Sequence, residues 1–388
     1  MFELPEELRL LKRAVREWSL KKFDPNLAIE LDRREEFPFE LWREANKLGF
    51  LNVRFPIKYG GQEMGLLADA IVTEELCRVD STLGTAIVLG NFSSDCILLF
   101  GTEEQKEKYL SKVTSGEWIS GGAYTEPAHG SDITSLDTKA VKEGSYWIIN
   151  GSKTFITNAP IATFFVVLCQ TDPESKHRGQ TMFIVEREDP GVETTVMHGK
   201  LGIRCSLTGE VSFSDCKISE DRLLGKLNRG FYQFMEFLDK SRIQIAAQAV
   251  GIAQGAFDVA WKYANERTAF GQKLIDFQAI SHKLAEMAIK IDAARLLTYR
   301  AAWYYDRGVV DPSLSSMAKA YAARVAVEAT DYAIQILGGY GYFAEYKVER
   351  YHRDAKITDI YEGTTEINMN VLINFLPKSS VLRTFMLS

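Results

Sequence analysis

Two carboxylates stand in contexts that could carry proton transfer. Glu362 lies in Tyr361-Glu362-Gly363-Thr364, and Asp95 in Asn91-Phe92-Ser93-Ser94-Asp95-Cys96-Ile97, just ahead of an apolar run. A carboxylate becomes a useful general base when burial lifts its pKa toward working pH. Residue preference alone reads both more plainly, Glu362 as a surface carboxylate capping a helix and Asp95 as a helix N-cap or solvated turn. The five histidines show neither HxH nor HExxH spacing and the five cysteines form no CxxC pair, so no metal site is written in the spacing. Neither G-x-G-x-x-G nor G-x-x-x-x-G-K-[ST] occurs, so a nucleotide would have to be held by neither the Rossmann nor the Walker route.

The elements that must position these groups change along the chain. From Pro5 to about Leu110 the pattern is helical, with Leu8, Leu11, Val15 and Trp18 on one face. The segment 56–65, PIKYGGQEMG, reads as a loop, and a helical run follows from Leu67 to Arg78. Between Ile119 and Asn228 short β-branched and aromatic runs such as TFFVVL and TMFIVE predict strands, and Asn150-Gly151 predicts a tight hairpin turn between YWII and KTFIT. From Gly230 onward helical periodicity returns, with Leu284, Met287, Ile291 and Ala294 forming a stripe that a bundle would bury. The expected organisation is α+β and multidomain: helices over 1–118, a β domain over 119–229 and a helical bundle over 230–388.

Composition narrows the class further. A net charge of −6 without a long Lys/Arg run argues against nucleic-acid binding. The N-terminus lacks the uninterrupted apolar core of a signal peptide, and no segment is read as reaching the roughly 18 apolar residues of a membrane span. An odd number of scattered cysteines argues against a disulfide framework and suits a reducing cytoplasm.

Four ordered blocks covering nearly the whole chain resemble the FAD-dependent acyl-CoA dehydrogenase family. They are Ala123-Tyr124-Thr125-Glu126-Pro127-Ala128-His129-Gly130-Ser131-Asp132, then Gly151-Ser152-Lys153-Thr154-Phe155-Ile156-Thr157-Asn158, then Glu266 to Gln272 with Phe277-Gln278-Ala279-Ile280, and finally Arg353 to Ile367. The resemblance implies an N-terminal helical domain, a β-barrel-like middle domain and a C-terminal four-helix bundle. It makes Glu362 the base that removes the α-proton of an acyl-CoA thioester while flavin N5 takes the β-hydride. The backbone N–H of Glu362 and an FAD ribityl hydroxyl would form the oxyanion hole.

A flavin needs hydroxyl and backbone donors, an aromatic or apolar wall, and a cation for its phosphates. By resemblance Tyr124 and Thr125 meet the pyrimidine side, Phe155 covers the ring, Thr157 lies near N5, and Ser131 holds phosphate or CoA. Arg267, Phe270, Gln278, Gln335 and Gly339 would serve FAD across a dimer interface, with Thr364 and Glu366 acting in their own subunit. Asp239, Arg242 and Gly363 join Ser131 and Glu362 as substrate-side residues. Phe155 departs from the tryptophan of many relatives, and Glu366 from a frequent glutamine. Some family branches carry their glutamate where Ser241 stands; a serine cannot act as a carboxylate base, which leaves Glu362.

Other members that oxidise cyclic carboxyl-CoA thioesters use an aspartate in the region of Asp95, so an alicyclic or dicarboxylic substrate with Asp95 as an additional carboxylate is an alternative. A flavin monooxygenase or oxidase on the same fold is another, and a non-enzymatic acyl-CoA-binding protein a third. The resemblance also implies a homotetramer built as a dimer of dimers, and electron transfer flavoprotein as the electron acceptor.

Overall fold

Helices at both ends and strands in the middle make up the computed structural model, which describes residues 3–383. Seven helices come first: α1 (Glu6–Lys22), α2 (Pro25–Arg34), α3 (Phe39–Lys47), α4 (Gly65–Val79), α5 (Ser81–Leu89), α6 (Ser94–Phe100) and α7 (Glu103–Thr114). Local signals start them. Thr102 accepts from the Gln105 N–H at 3.2 Å while the Gln105 side chain accepts from the Thr102 N–H at 3.0 Å, a reciprocal capping box for α7. Asp80 caps α5 by accepting from the N–H groups of Thr82 and Leu83.

Residues Ser81–Phe100 correct one expectation. They form an apolar stretch long enough to match a membrane span by composition, with a mean hydropathy of 1.6. The stretch is two helices, α5 and α6, and 83% of its most apolar window is buried inside the protein, where a core segment needs the same composition.

The strands are β1 (Ser120–Ala123), β2 (Lys139–Glu143), β3 (Tyr146–Thr157), β4 (Phe164–Gln170), β5 (Gln180–Glu186), β6 (Val192–Val196), β7 (Thr208–Ser219) and β8 (Leu223–Leu224). They form one sheet in the order β6-β7-β3-β2-β4-β5-β8, with β1 parallel to β4. The apolar runs at β4 and β5 are buried along almost their whole length, as continuous hydrophobic strands require.

The Asn150-Gly151 hairpin does not exist. β3 runs straight through it, and the register against β7 shifts between Ile149 and Gly151, so the pair marks a β-bulge. The Asn150 amide instead reaches across to Asp215, donating to Oδ1 at 3.0 Å and accepting from its N–H at 2.7 Å. The turn into β3 falls at Gly144, whose φ of 61° suits it.

The C-terminal region holds α8 (Gly230–Glu266), a short ribbon of β9 (Thr268–Ala269) and β10 (Gln272–Lys273), then α9 (Gln278–Tyr305), α10 (Pro312–Leu337), α11 (Val348–Ala355) and α12 (Thr365–Phe375). The predicted stripe Leu284, Met287, Ile291 and Ala294 is buried on α9. Small residues let α8 sit tightly on α4: a Cβ at Gly251 would lie 2.4 Å from the Glu74 carbonyl oxygen. Buried Asp354 of α11 accepts from the hydroxyls of Ser81 and Thr82 and from the Ile203 N–H, and Arg350 pairs with Asp80. The end of the chain is thereby tied to α5 and to the sheet region, which fixes the loop that follows α11.

Candidate active site

That loop carries Glu362. Glu362 has φ 55° and Gly363 has φ 84°, so two successive residues are left-handed. Holding a non-glycine residue there costs about 1–2 kcal/mol, and the surroundings must over-determine it. They do so through the carbonyls. Arg242 Nε of α8 donates to the Glu362 carbonyl at 3.2 Å, and Lys319 Nζ of α10 donates to the Gly363 carbonyl at 2.6 Å. Asn368 Nδ2 of α12 donates to the carbonyls of Gly363 and Thr364 at 2.8 and 3.0 Å, and Thr364 caps α12. Tyr361 is anchored from its hydroxyl to Gln248.

The Glu362 carboxylate accepts a hydrogen bond from Ser241 Oγ at 2.5 Å. Burial pushes the Glu362 pKa above its ordinary value, while Ser241, Arg242 and Lys319 pull it back. Ser241 is therefore more than the vacated site of another base, because its hydroxyl orients the one that remains. Sequence reasoning missed this role, and also missed Lys319 and Asn368.

Around this loop the sequence-derived residues fall into separate groups. The Tyr124 ring is buried against Phe234, with centroids 4.5 Å apart, and its hydroxyl meets Cys96 Sγ at 3.2 Å. Its phenol is thus turned into the apolar wall, which leaves the Tyr124 backbone as the part that could meet a flavin. That backbone is fixed by fully buried Lys153, whose Nζ donates to the Tyr124 carbonyl at 3.0 Å and to Glu126 Oε1 at 2.8 Å. The Thr154 N–H donates to the Thr125 carbonyl at 2.9 Å, so the 124–126 loop is stitched to β3.

At the end of β3 Phe155 is exposed and Thr157 half-buried, whereas Lys153 and Ile156 are buried. Phe155 is 64% exposed at φ 58°, beside the irregularity between Lys153 and Ile156. An exposed aromatic face flanked by the half-buried hydroxyls of Thr125 and Thr157 fits the donor set and the wall that a flavin ring requires. Ser131 is exposed in the neighbouring loop, and Glu366 is exposed in the first turn of α12. Glu126, His129 and Asp137 cluster within 4.8 Å, but the Glu126 oxygens already accept from Lys153 and from the N–H groups of Asp137 and Thr138. They fasten the loop.

Asp95 is neither an N-cap nor solvated. It is buried in the first turn of α6, where Arg54 Nε donates to both its oxygens at 2.9 and 3.2 Å and Lys240 Nζ donates at 2.5 Å. Arg54 also reaches Asp69 at 2.8 Å. Two cations beside it hold the Asp95 pKa below the ordinary carboxylate value against the opposing effect of burial. Asp239 pairs loosely with Arg242 at 3.6 Å, and burial raises its pKa to about 6. Arg242 itself is directed to the base loop, a backbone role the sequence did not suggest.

Arg267 and Gly339 form a different neighbourhood, a cleft of about 720 Å³ that they line with Tyr263, Tyr340 and Phe343, while Gln335 is exposed near the end of α10, just before the cleft residues Ile336 and Leu337. Phe270 at the tip of the β9–β10 ribbon is 97% exposed, and Tyr342 and Phe343 are exposed nearby in sequence to the cleft. Among the described residues no hydrogen bond joins this group, or Gln278, to Glu362 or to β3.

Models of the acyl-CoA dehydrogenase N-terminal, middle and C-terminal domains match residues 5–117, 121–216 and 228–376. The chain is 41% identical over 374 residues to the short-chain specific acyl-CoA dehydrogenase of Clostridium acetobutylicum, covering 96% of this chain and 98% of that one. Butyryl-CoA dehydrogenase from Megasphaera elsdenii superposes with a TM-score of 0.93 at 37% identity, covering 96% and 99% of the two chains. A chain from a structure of the electron transferring flavoprotein of Acidaminococcus fermentans superposes with a TM-score of 0.93 at 39% identity, covering all of both.

Proposed function

This chain belongs to the acyl-CoA dehydrogenase family, and from that premise we propose that Glu362 is the base that takes the α-proton of an acyl-CoA thioester. The observation that carries the reading is the hold on Glu362: a half-buried carboxylate, hydrogen-bonded by Ser241, on a left-handed loop whose carbonyls are clamped by Arg242, Lys319 and Asn368. Its raised pKa makes the ionised form a stronger base, and the Ser241 hydroxyl keeps that form populated. With the carbonyls drawn back toward α8, α10 and α12, the loop backbone is held in a single conformation, which suits the Glu362 N–H to a thioester oxyanion. The packed rings of Tyr124, Phe234 and Phe237 would exclude water from the acyl side.

Bound FAD would supply the hydride acceptor for the β-carbon and a second oxyanion donor. Thr125, Ser131, Phe155 and Thr157 would hold it with Thr364 and Glu366, while Arg267, Phe270, Gln278, Gln335 and Gly339 would come from a neighbouring subunit. Support for the subunit-bridging site comes from the lack, among the described residues, of a hydrogen bond between the two neighbourhoods and from the exposed aromatic side chains of Phe270, Tyr342 and Phe343. A homotetramer, with electron transfer flavoprotein as acceptor, completes the reading. Five unpaired, buried cysteines fit a reducing cytoplasm.

Anaerobic addition of straight, branched, dicarboxylic and cyclic acyl-CoA thioesters to FAD-loaded protein should bleach the flavin with at least one of them. No bleaching by any member would favour an acyl-CoA binder without catalysis. Peroxide or hydroxylated product formed with oxygen would favour an oxidase or monooxygenase.

A further inference from the structure

Lys319 is completely buried on α10, and its ammonium makes one hydrogen bond among the described residues, to the Gly363 carbonyl at 2.6 Å. A buried ammonium without a carboxylate partner is costly, so a cation kept there needs a reason. Among the described residues its partner is a carbonyl and it forms no salt bridge, yet Glu362 is the charged group that favours its protonated form most. Asp359 of the preceding turn and Glu366 of α12 act in the same direction, and Arg242 of α8 acts against it. Burial wins over these and brings the Lys319 pKa down to about 8.

The geometry separates two effects that a direct ion pair would merge. A lysine bonded to the Glu362 carboxylate would hold it ionised and make it a poor base. Bonded to the next carbonyl instead, the ammonium fastens the loop and leaves the carboxylate free for substrate. Ser241 takes the carboxylate, Arg242 the Glu362 carbonyl, and Lys319 the Gly363 carbonyl, which it shares with Asn368.

We propose that Lys319 is a positioning residue for proton abstraction, holding the base loop by the Gly363 carbonyl and supplying the positive charge that favours ionised Glu362. The proposal rests on the reading of Glu362 as base. Its test uses Lys319→Gln, which keeps a donor for Gly363 and drops the charge, beside Lys319→Met, which drops both. Glu362 ionisation is followed in the FAD-loaded protein by infrared difference spectroscopy, with Glu362→Gln identifying the carboxyl band. Bleaching by butyryl-CoA across pH gives the kinetic counterpart.

The Glu362 midpoint should rise by about one pH unit in both variants, the low end for loss of a neighbouring opposite charge. The bleaching rate per ionised Glu362, read below about pH 8 where the Lys319 ammonium is protonated, should stay within about threefold of wild type in Lys319→Gln and fall about tenfold in Lys319→Met, as expected for one lost charge-assisted hydrogen bond. A rate loss at every pH with an unmoved midpoint in folded, flavin-replete Lys319→Gln would reduce the residue to a packing role and overturn the proposal. Should Lys319→Met not fold, the infrared midpoint of Lys319→Gln decides alone. Rapid reduction by Glu362→Gln would instead defeat the base assignment, a different outcome from an unmoved midpoint.

Discussion

Replacing Ser241 with alanine removes one oxygen atom and should move the pH at which the protein works. The Ser241 hydroxyl donates to Glu362 Oε2 at 2.5 Å, and only the ionised carboxylate draws full benefit from such a donor. Hydrogen bonds to charged groups contribute about 1.5–3 kcal/mol, and 1.36 kcal/mol corresponds to about one pKa unit, so the loss amounts to roughly 1–2 units. The sign follows from the state that is stabilised. Without the donor the protonated acid is favoured, and the already raised Glu362 pKa rises further. Because the rate of flavin bleaching follows the ionised fraction, the ascending limb of the pH profile should shift upward by about 1–2 units. One unit below the wild-type midpoint the variant should be slower by roughly tenfold or more, while at high pH the two should converge. Stopped-flow anaerobic bleaching with saturating acyl-CoA from pH 5 to 10 reads both. A limb that stays in place, or moves to lower pH, would refute the claim that Ser241 sets the ionisation of Glu362.

Two further substitutions probe the other neighbourhoods. Asp95→Asn leaves Arg54 and Lys240 with only Asp69 between them and should cost about 3–5 kcal/mol in denaturant unfolding near neutral pH. Since the Asp95 pKa is depressed in the folded protein, its stabilisation is present above the ordinary carboxylate pKa and is lost as pH falls through the folded value, so the gap to wild type should close in acid. Bleaching by straight-chain and cyclohexane-type thioesters should persist in the folded variant; selective loss of the cyclic substrate would restore Asp95 as a second reacting carboxylate. Phe270→Ser alters a side chain that touches almost nothing in its own chain, so the stability of the isolated subunit should change by less than about 0.5 kcal/mol. Sedimentation should nevertheless show a smaller assembly and loss of bound flavin, and an unchanged, flavin-replete oligomer would count against the subunit-bridging site.

What could be read from the residues depended on how local the signal was. The Leu284 stripe and the apolar runs of β4 and β5 are local patterns, and the structure buries them as such. Asn150-Gly151 misled because a turn dipeptide also serves a bulge. Only the pairing with β7, more than sixty residues on, decides between them. The motif around Glu362 was legible, but its support was not, since Ser241, Lys319 and Asn368 sit on three different helices and meet only when the bundle closes. The same holds for Asp95, whose partners Arg54 and Lys240 are 41 and 145 residues away. Tyr124 belonged to a recognisable block, yet the burial of its ring depended on Phe234, more than a hundred residues on, packing against it.

The central claim is that one carboxylate, Glu362, takes the substrate proton. Single-turnover bleaching of FAD-loaded Glu362→Gln under anaerobic conditions, with acyl-CoA binding measured on the same sample, tests it most directly. The glutamine keeps the shape and can still hydrogen-bond to Ser241 but cannot accept the proton as a carboxylate does. The variant should bind acyl-CoA within about threefold of wild type and lose flavin reduction by at least about 10³-fold, the scale of a positioned general base. Reduction at a rate near that of the unsubstituted protein would contradict the assignment and place the base elsewhere in the site.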